Sequence, residues 1–106
     1  MLSEEDCKIA SEFHQRLKAI VPVLDLLVFG SRARGEASVE SDLDVFIVVE
    51  TITPMMRQRI SEIAWEVGFE MDRIISTIVA TPDQLENGPM AANPLILKIE
   101  QEGVRV

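Results

Sequence analysis

The chain has 106 residues, of which 47% are hydrophobic and 26% are charged. This length fits one domain, and this composition is that of a globular protein, which excludes a disordered chain and collagen-like repeats. Ten Lys and Arg residues stand against 18 Asp and Glu residues, so the formal net charge is -8, and such an acidic surface argues against nonspecific binding of DNA or RNA.

The first half of the chain predicts one helix and two buried strands. The helix opens at Ser3, whose hydroxyl is placed to cap it, and ends before Pro22. The segments Val23–Phe29 and Leu43–Val49 are short and almost wholly apolar, which is typical of buried strands. Residues 30–41 are polar and turn-rich. The apolar stripe of the helix consists of Ile9, Phe13, Leu17 and Ile20.

The second half of the chain predicts alternating helices and strands. Thr53 followed by Pro54 is an N-cap with a first-turn proline, so a helix starts here, and Gly68 is expected to end it. Residues 73–80 predict a third strand. The chain then continues with a short helix from Thr81 and Pro82 that breaks at residues 87–89, a last helix between Asn93 and Gly103, and an edge strand over 104–106.

The polar segment 30–41 joins two strands, either as an elaborate hairpin loop or as a short crossover. A connection of this length in a small domain usually carries function. Gly30 lets the backbone turn sharply and lets a ligand come close. Ser31 offers a hydroxyl that suits a phosphate oxygen, although a helix N-cap is the alternative. The arginines beside them, Arg32 and Arg34, are candidate phosphate contacts or solvated side chains.

Asp42 and Asp44 stand two residues apart at the start of the second strand. That spacing directs both carboxylates to one face of the sheet, roughly 7 Å apart along the chain. Paired carboxylates repel each other unless a cation lies between them, and oxygen ligands favour Mg²⁺ or Mn²⁺ over zinc. The alternative is a pair of turn-capping carboxylates. A metal beside a phosphate-binding turn predicts nucleotidyl or phosphoryl transfer.

Gly30-Ser31, a spacer, and Asp42-x-Asp44 resemble the signature of the nucleotidyltransferase superfamily that includes DNA polymerase beta and kanamycin nucleotidyltransferase. The sequence Phe-Gly-Ser-Arg-Ala-Arg-Gly resembles that of the minimal nucleotidyltransferase (MNT) branch of this superfamily. The resemblance covers the first half of the chain by motif and the rest by element order. It implies an α+β, polymerase beta palm-like fold in which helices flank a small mixed sheet, with residues 1–106 as a single minimal nucleotidyltransferase domain.

The resemblance also implies roles for residues. Ser31 would contact the terminal phosphates of an NTP, expected to be ATP, and Asp42 and Asp44 would bind Mg²⁺ or Mn²⁺. Relatives carry a third carboxylate on a later strand, as ligand and general base. Here Ser76 stands where that acid is expected, and Asp72, of the same strand parity, is the substitute candidate, with a flanking surface residue as its alternative.

Two functions stay open. One is a metal-dependent enzyme that moves a nucleoside monophosphate from an NTP to an acceptor hydroxyl. A core this small needs a second protein or subunit for the acceptor, and the resemblance implies a helical HEPN-type partner, with this chain as antitoxin and the partner as acceptor. The other is a degenerate module that binds a nucleotide or a partner without turnover.

Several features concern the cellular setting and the packing. A single cysteine, Cys7, excludes a disulfide framework and indicates a reducing compartment. No apolar run is long enough to span a membrane, and the acidic N-terminus differs from a signal peptide, so a cytoplasmic protein is expected. Cys7 is expected to pack as a small apolar residue, and Trp65 is expected to be partly buried.

Overall fold

The computed structural model describes residues 2–35 and 42–106, which form an α+β domain. Five α-helices and four strands make up this part of the chain. In chain order they are α1 Glu4–Lys18, β1 Val23–Phe29, α2 Gly30–Arg34, β2 Leu43–Val49, α3 Pro54–Met71, β3 Ile75–Ala80, α4 Pro82–Asn87, a 3₁₀ turn Pro89–Ala92, α5 Pro94–Glu102 and β4 Val104–Arg105.

The four strands form one mixed sheet in the order β3-β2-β1-β4. β1 is antiparallel to β2 and to β4, whereas β2 and β3 are parallel and are connected through α3. The antiparallel pairing shows that the connection between β1 and β2 is an elaborated hairpin with α2 in it, because a crossover would join parallel strands. The mixed sheet flanked by helices that the resemblance implies is therefore confirmed.

The sheet has two faces with different cover. Leu43, Val45 and Ile47 of β2 belong to the larger apolar cluster, which α1 and α3 complete, and we call this side the α1–α3 face. Phe46 and Val48 lie in a smaller cluster with Ile96 and Ile99, which defines the α5 face. Because side chains alternate along a strand, Asp44 shares the α5 face with Phe46.

The predicted helix starts are confirmed by their side-chain hydrogen bonds. Thr53 Oγ1 accepts from the N–H of Met56 at 3.1 Å, and Thr81 forms a reciprocal capping box with Gln84. These caps satisfy backbone donors that a helix leaves unpaired, which is why short polar residues mark helix starts reliably. The capping residues are Ser3, Thr53, Thr81 and Asn93.

The end of α3 differs from the prediction. The helix passes through Gly68 and continues to Met71, where Asp72 takes the left-handed conformation (φ 56°, ψ 48°) as C-cap. A side chain at Gly68 would collide with the carbonyl of Arg73, so this glycine serves close packing and does not end the helix. The chain must leave the left-handed turn before it can pair, so β3 starts at Ile75, two residues later than predicted.

Two apolar residues lie outside the core that was expected for them. Cys7 is exposed on α1, and Trp65 is exposed on α3, so both packing predictions are wrong. The first helix ends at Lys18 and leaves Ile20 beyond its stripe, partly exposed. Within residues 2–35 and 42–106, no helix has both the length and the apolar character needed to cross a bilayer.

Candidate functional site

The turn between β1 and α2 is built against the start of β2. Phe29, the last residue of β1, pairs with Asp44, and Gly30 follows at a φ of 75°. A Cβ added to Gly30 would collide with the Oδ2 atom of Asp44. Glycine is therefore required at position 30 for two reasons: its φ is left-handed, and its backbone packs closely against the carboxylate of Asp44. Two residues that sequence analysis selected separately are thus brought into contact.

We expect the substitution Gly30→Ala to destabilise the protein by roughly 1–3 kcal/mol, the usual cost of a non-glycine residue in a disfavoured backbone region. Urea unfolding followed by circular dichroism measures this loss. Gly35→Ala is the matched control, because Gly35 also has a positive φ, 73°, but lies at the other end of α2. Only Gly30→Ala should also displace Asp44 and weaken nucleotide binding, and a Gly30→Ala variant with unchanged stability would contradict this geometry.

The two aspartates lie where β2 begins. Asp42 is exposed just before the strand, and Asp44 is half-buried within it. Burial raises the pKa of the Asp44 carboxyl above its ordinary value, and the negative charge of Asp42 raises it further. The two carboxylates therefore lie close enough to repel each other, as a shared cation site requires.

Asp42 and Asp44 suit a magnesium site that is completed by substrate. Among the described residues, no group of three or more His, Cys, Asp and Glu side chains could hold a metal ion. Mg²⁺ is commonly held by one or two carboxylates while substrate phosphates and water fill its other positions. A carboxylate pair beside a glycine turn that a ligand can approach closely fits this arrangement. Metal binding by Asp42 and Asp44 stays a prediction.

Ser31 lies in the first turn of α2, partly exposed. Phe29, not Ser31, holds the N-cap position, so the capping alternative for this hydroxyl does not apply. Contact with a phosphate oxygen stays the prediction for Ser31.

The two arginines of α2 make contacts that the sequence did not indicate. Nη1 of Arg32 donates to Oδ1 and Oδ2 of Asp6 at 3.0 and 3.3 Å, and both side chains are almost fully buried. Nη1 of Arg34 lies 3.7 Å from Oε2 of Glu102 on α5. Arg32 thus pairs with α1, and the pair ties α2 to the body of the domain. Contact of Arg32 and Arg34 with phosphate stays a prediction.

The position expected for a third carboxylate is occupied by Ser76. Ser76 is the registered neighbour of Asp44 across the parallel pair β2–β3, so their side chains emerge on the same face. Asp72 lies four residues earlier, outside the strand, as the exposed C-cap of α3. The pairing of β2 with β3 begins at Leu43 and Ile75. Asp72 lies before this pairing, so the sheet does not bring it towards Asp44.

Comparison with known proteins identifies the family. Residues 7–105 match the family described as nucleotidyltransferase domain. A candidate protein adenylyltransferase of Methanocaldococcus jannaschii is 36% identical over 78 residues, which are 71% of this chain and 79% of that protein.

Solved structures share the fold. A toxin–antitoxin with AMP-PNP matches 91% of this chain and 70% of its own, with a TM-score of 0.63 and 16% identity. A tri-AMPylated HEPN toxin of Shewanella oneidensis in complex with MNT antitoxin matches 94% and 70%, with a TM-score of 0.57 and 13% identity. A candidate nucleotidyltransferase from Sulfolobus solfataricus matches 96% and 82%, with a TM-score of 0.54 and 21% identity. With a family match over nearly the whole chain and a fold in common, this protein belongs to the nucleotidyltransferase domain family of transferases.

Proposed function

We propose that the chain is a metal-dependent nucleotidyltransferase that moves a nucleoside monophosphate from an NTP, in the first instance AMP from ATP, to an acceptor hydroxyl. The observation that carries the proposal is the contact between the Gly30 turn and the carboxylate of Asp44, with the charge of Asp42 beside it. This arrangement puts a backbone that a phosphate can approach next to two oxygen ligands for a divalent cation.

Each residue has a separate task in this proposal. Asp42 and Asp44 would hold Mg²⁺ or Mn²⁺, which would supply charge neutralisation for the triphosphate and lower the pKa of the attacking hydroxyl. Gly30 and Ser31 position the phosphates. The acceptor oxygen then forms a bond to the α-phosphorus, the bond to the bridging oxygen breaks, pyrophosphate leaves, and the hydroxyl proton passes to water.

We further propose that the acceptor hydroxyl belongs to a protein, and that this partner is of the helical HEPN type with this chain as its antitoxin. The relative from Methanocaldococcus jannaschii is named as an adenylyltransferase of proteins, and two structural neighbours are toxin–antitoxin assemblies, one with a tri-AMPylated HEPN toxin. The minimal domain over residues 1–106 would gain its acceptor surface from that partner. The one free cysteine, exposed on α1, and an ATP substrate fit a cytoplasmic setting.

The test is transfer of label from α-labelled ATP to a purified HEPN-type protein, with Mg²⁺ or with EDTA. We expect labelled protein with Mg²⁺ and none with EDTA. Asp42→Asn and Asp44→Asn should each reduce the labelling rate by tenfold to a hundredfold or more, because each removes a metal ligand and leaves the fold intact. Metal-independent labelling, or equal rates in all three proteins, would refute the proposed site.

One observation favours the second candidate, a module that binds nucleotide or partner without turnover. Ser76 provides no carboxylate where relatives have their third acid, so a base is missing from that position. This candidate predicts tight binding of the partner that survives Asp42→Asn and Asp44→Asn, together with no label on any protein. Label that depends on the metal and on both aspartates would exclude it.

A further inference from the structure

A pair of aromatic side chains lies exposed on α3. The rings of Trp65 and Phe69 are stacked, with centroids 5.4 Å apart and planes 8° apart. Trp65 is 70% exposed, Phe69 is 75% exposed and neighbouring Ile74 is 67% exposed. Single exposed apolar residues are ordinary, but a contiguous apolar patch that includes two aromatic rings is typical of an interaction surface.

This patch borders a groove of about 670 Å³ between α3 and β3. Ala64 and Gly68 line its helix side, and Ile75 and Thr77 line its strand side. The groove therefore accepts side chains that approach along β3.

β3 lies at the end of the sheet, and in the part of the chain that the structure describes no strand pairs with its outer edge. The C=O of Ile74 accepts from the N–H of Leu43 at 2.9 Å. Because backbone groups alternate in direction along a strand, those of Ile75, Thr77 and Val79 point outwards. Natural edge strands are usually protected by charges, prolines or bulges, and β3 has neither charge nor proline. An extended segment can thus pair with it as a fifth strand.

The charges around the groove select its occupant. Glu62 and Glu66 precede the two aromatic residues by three positions and share one cation, Arg59, at 3.1 and 3.8 Å. Of the two charged residues that line the groove itself, Arg73 is paired with Glu5 at 3.0 Å, and the carboxylate of Asp72 is exposed. A second copy of this chain, with its own net charge of -8, would set these carboxylates against their equivalents. A segment that carries Lys or Arg would instead be attracted.

We propose that the edge of β3 and this groove bind an extended protein segment in which apolar residues alternate with polar ones and basic residues flank them, and that this segment presents the acceptor hydroxyl. The second half of the inference rests on the proposed transferase function. Ser76 is the registered neighbour of Asp44, so an added strand lies two strand spacings, about 10 Å, from Asp44. Residues that alternate with the groove-facing ones point to the side of the sheet that carries Ser76 and Asp44.

The experiment uses the full chain and a synthetic nonapeptide with alternating valine and serine at its centre and two lysines at each end. Trp65 is the only tryptophan in the sequence, so its fluorescence reports on the groove directly. We expect the peptide to shift the emission to shorter wavelength with saturable binding. Phe69→Asp should weaken binding at least tenfold. The matched control is Met55→Asp on the same helix, since Met55 is 78% exposed but lies outside the groove, and it should bind like wild type.

The control peptides have glutamates in place of the lysines, or N-methyl groups that block pairing with a strand edge, and neither should bind. Equal binding of the acidic peptide, equal binding by Phe69→Asp, or no binding at millimolar peptide would overturn the docking inference. A dimer in sedimentation analysis that Phe69→Asp dissociates would overturn it in favour of a second copy.

Transfer is scored separately on the same mixtures with α-labelled ATP and Mg²⁺. Asp44→Asn should bind the peptide normally and leave its serines unlabelled, whereas wild type should label them. Binding that is normal in wild type without any label refutes the acceptor half of this inference, and the docking half then stands on the fluorescence result. Label on a HEPN-type protein that Phe69→Asp does not reduce would also refute the acceptor half while it supports the transferase function.

Discussion

Replacing Arg32 with Met is expected to lower the free energy of unfolding by about 3–5 kcal/mol, the range for breaking a buried ion pair by removing one partner. The substitution leaves the carboxylate of Asp6, only 3% exposed, without its guanidinium. Asp6→Leu should also lower the free energy of unfolding, because it removes this carboxylate from the buried guanidinium. Chemical unfolding with urea measures all of these changes.

Two controls separate the buried pair from general sensitivity of α2. Arg34→Met removes a half-exposed contact to Glu102, and such pairs contribute about 1 kcal/mol or less. The double variant Asp6→Leu with Arg32→Met removes both charges of the pair and should be more stable than Arg32→Met alone. Additive losses in the double variant would show that the two side chains do not act as a pair.

Ser76→Asp is expected to raise the rate of nucleotidyl transfer by a hundredfold or more, within the usual range for a positioned general base. The new carboxylate would share a face with Asp44, across the registered pair, where it can serve as ligand and base. In EDTA the same substitution should lower the stability, because a third negative charge joins Asp42 and Asp44. Ser76→Asn is the matched control, since it has nearly the same shape without the charge, and it should show neither effect.

Asp72→Asn tests whether Asp72 or position 76 corresponds to the third carboxylate of the relatives. Asparagine tolerates the left-handed conformation that Asp72 adopts as C-cap, so the variant keeps the fold and removes only the charge. A hundredfold loss of transfer in this variant, with no gain from Ser76→Asp, would give the role to Asp72 and contradict the role inferred from strand register. The converse result would leave Asp72 as an acidic residue of the groove.

Much of the fold follows from local patterns. The strand bounds Val23–Phe29 and Leu43–Val49 coincide with those observed, because continuous apolar runs of this length are stable only inside a sheet. Helix starts are predicted equally well, since a capping side chain accepts a hydrogen bond from a backbone N–H only two or three residues later. The predicted end of α3 was wrong, because the residue contact that decides it is not local in the sequence. Gly68 is needed for the approach of Arg73, a contact that exists only after the chain has turned back.

The candidate site divides in the same way. Gly30, Ser31, Asp42 and Asp44 could be selected because the motif is short, although the contact of Gly30 with Asp44 needed the strand register. Sequence analysis did not predict the Asp6–Arg32 pair, since Asp6 belongs to the acidic N-terminus, where carboxylates are ordinarily exposed. One signal was present: Asp6 lies three residues before Ile9 and seven before Phe13, so it falls on the buried stripe of α1.

The most direct test of the account is the thermal unfolding of wild type and Asp44→Asn with Mn²⁺ and a nonhydrolysable ATP analogue, or with EDTA. Ligand at a hundred times its dissociation constant should stabilise wild type by about 2.7 kcal/mol and should leave Asp44→Asn almost unchanged. In EDTA, Asp44→Asn should be more stable than wild type, because the variant lacks the repulsion between the carboxylates of Asp42 and Asp44. A wild-type protein indifferent to metal and nucleotide together, or an Asp44→Asn variant stabilised as strongly as wild type, would contradict the claim that these carboxylates hold a cation against a triphosphate.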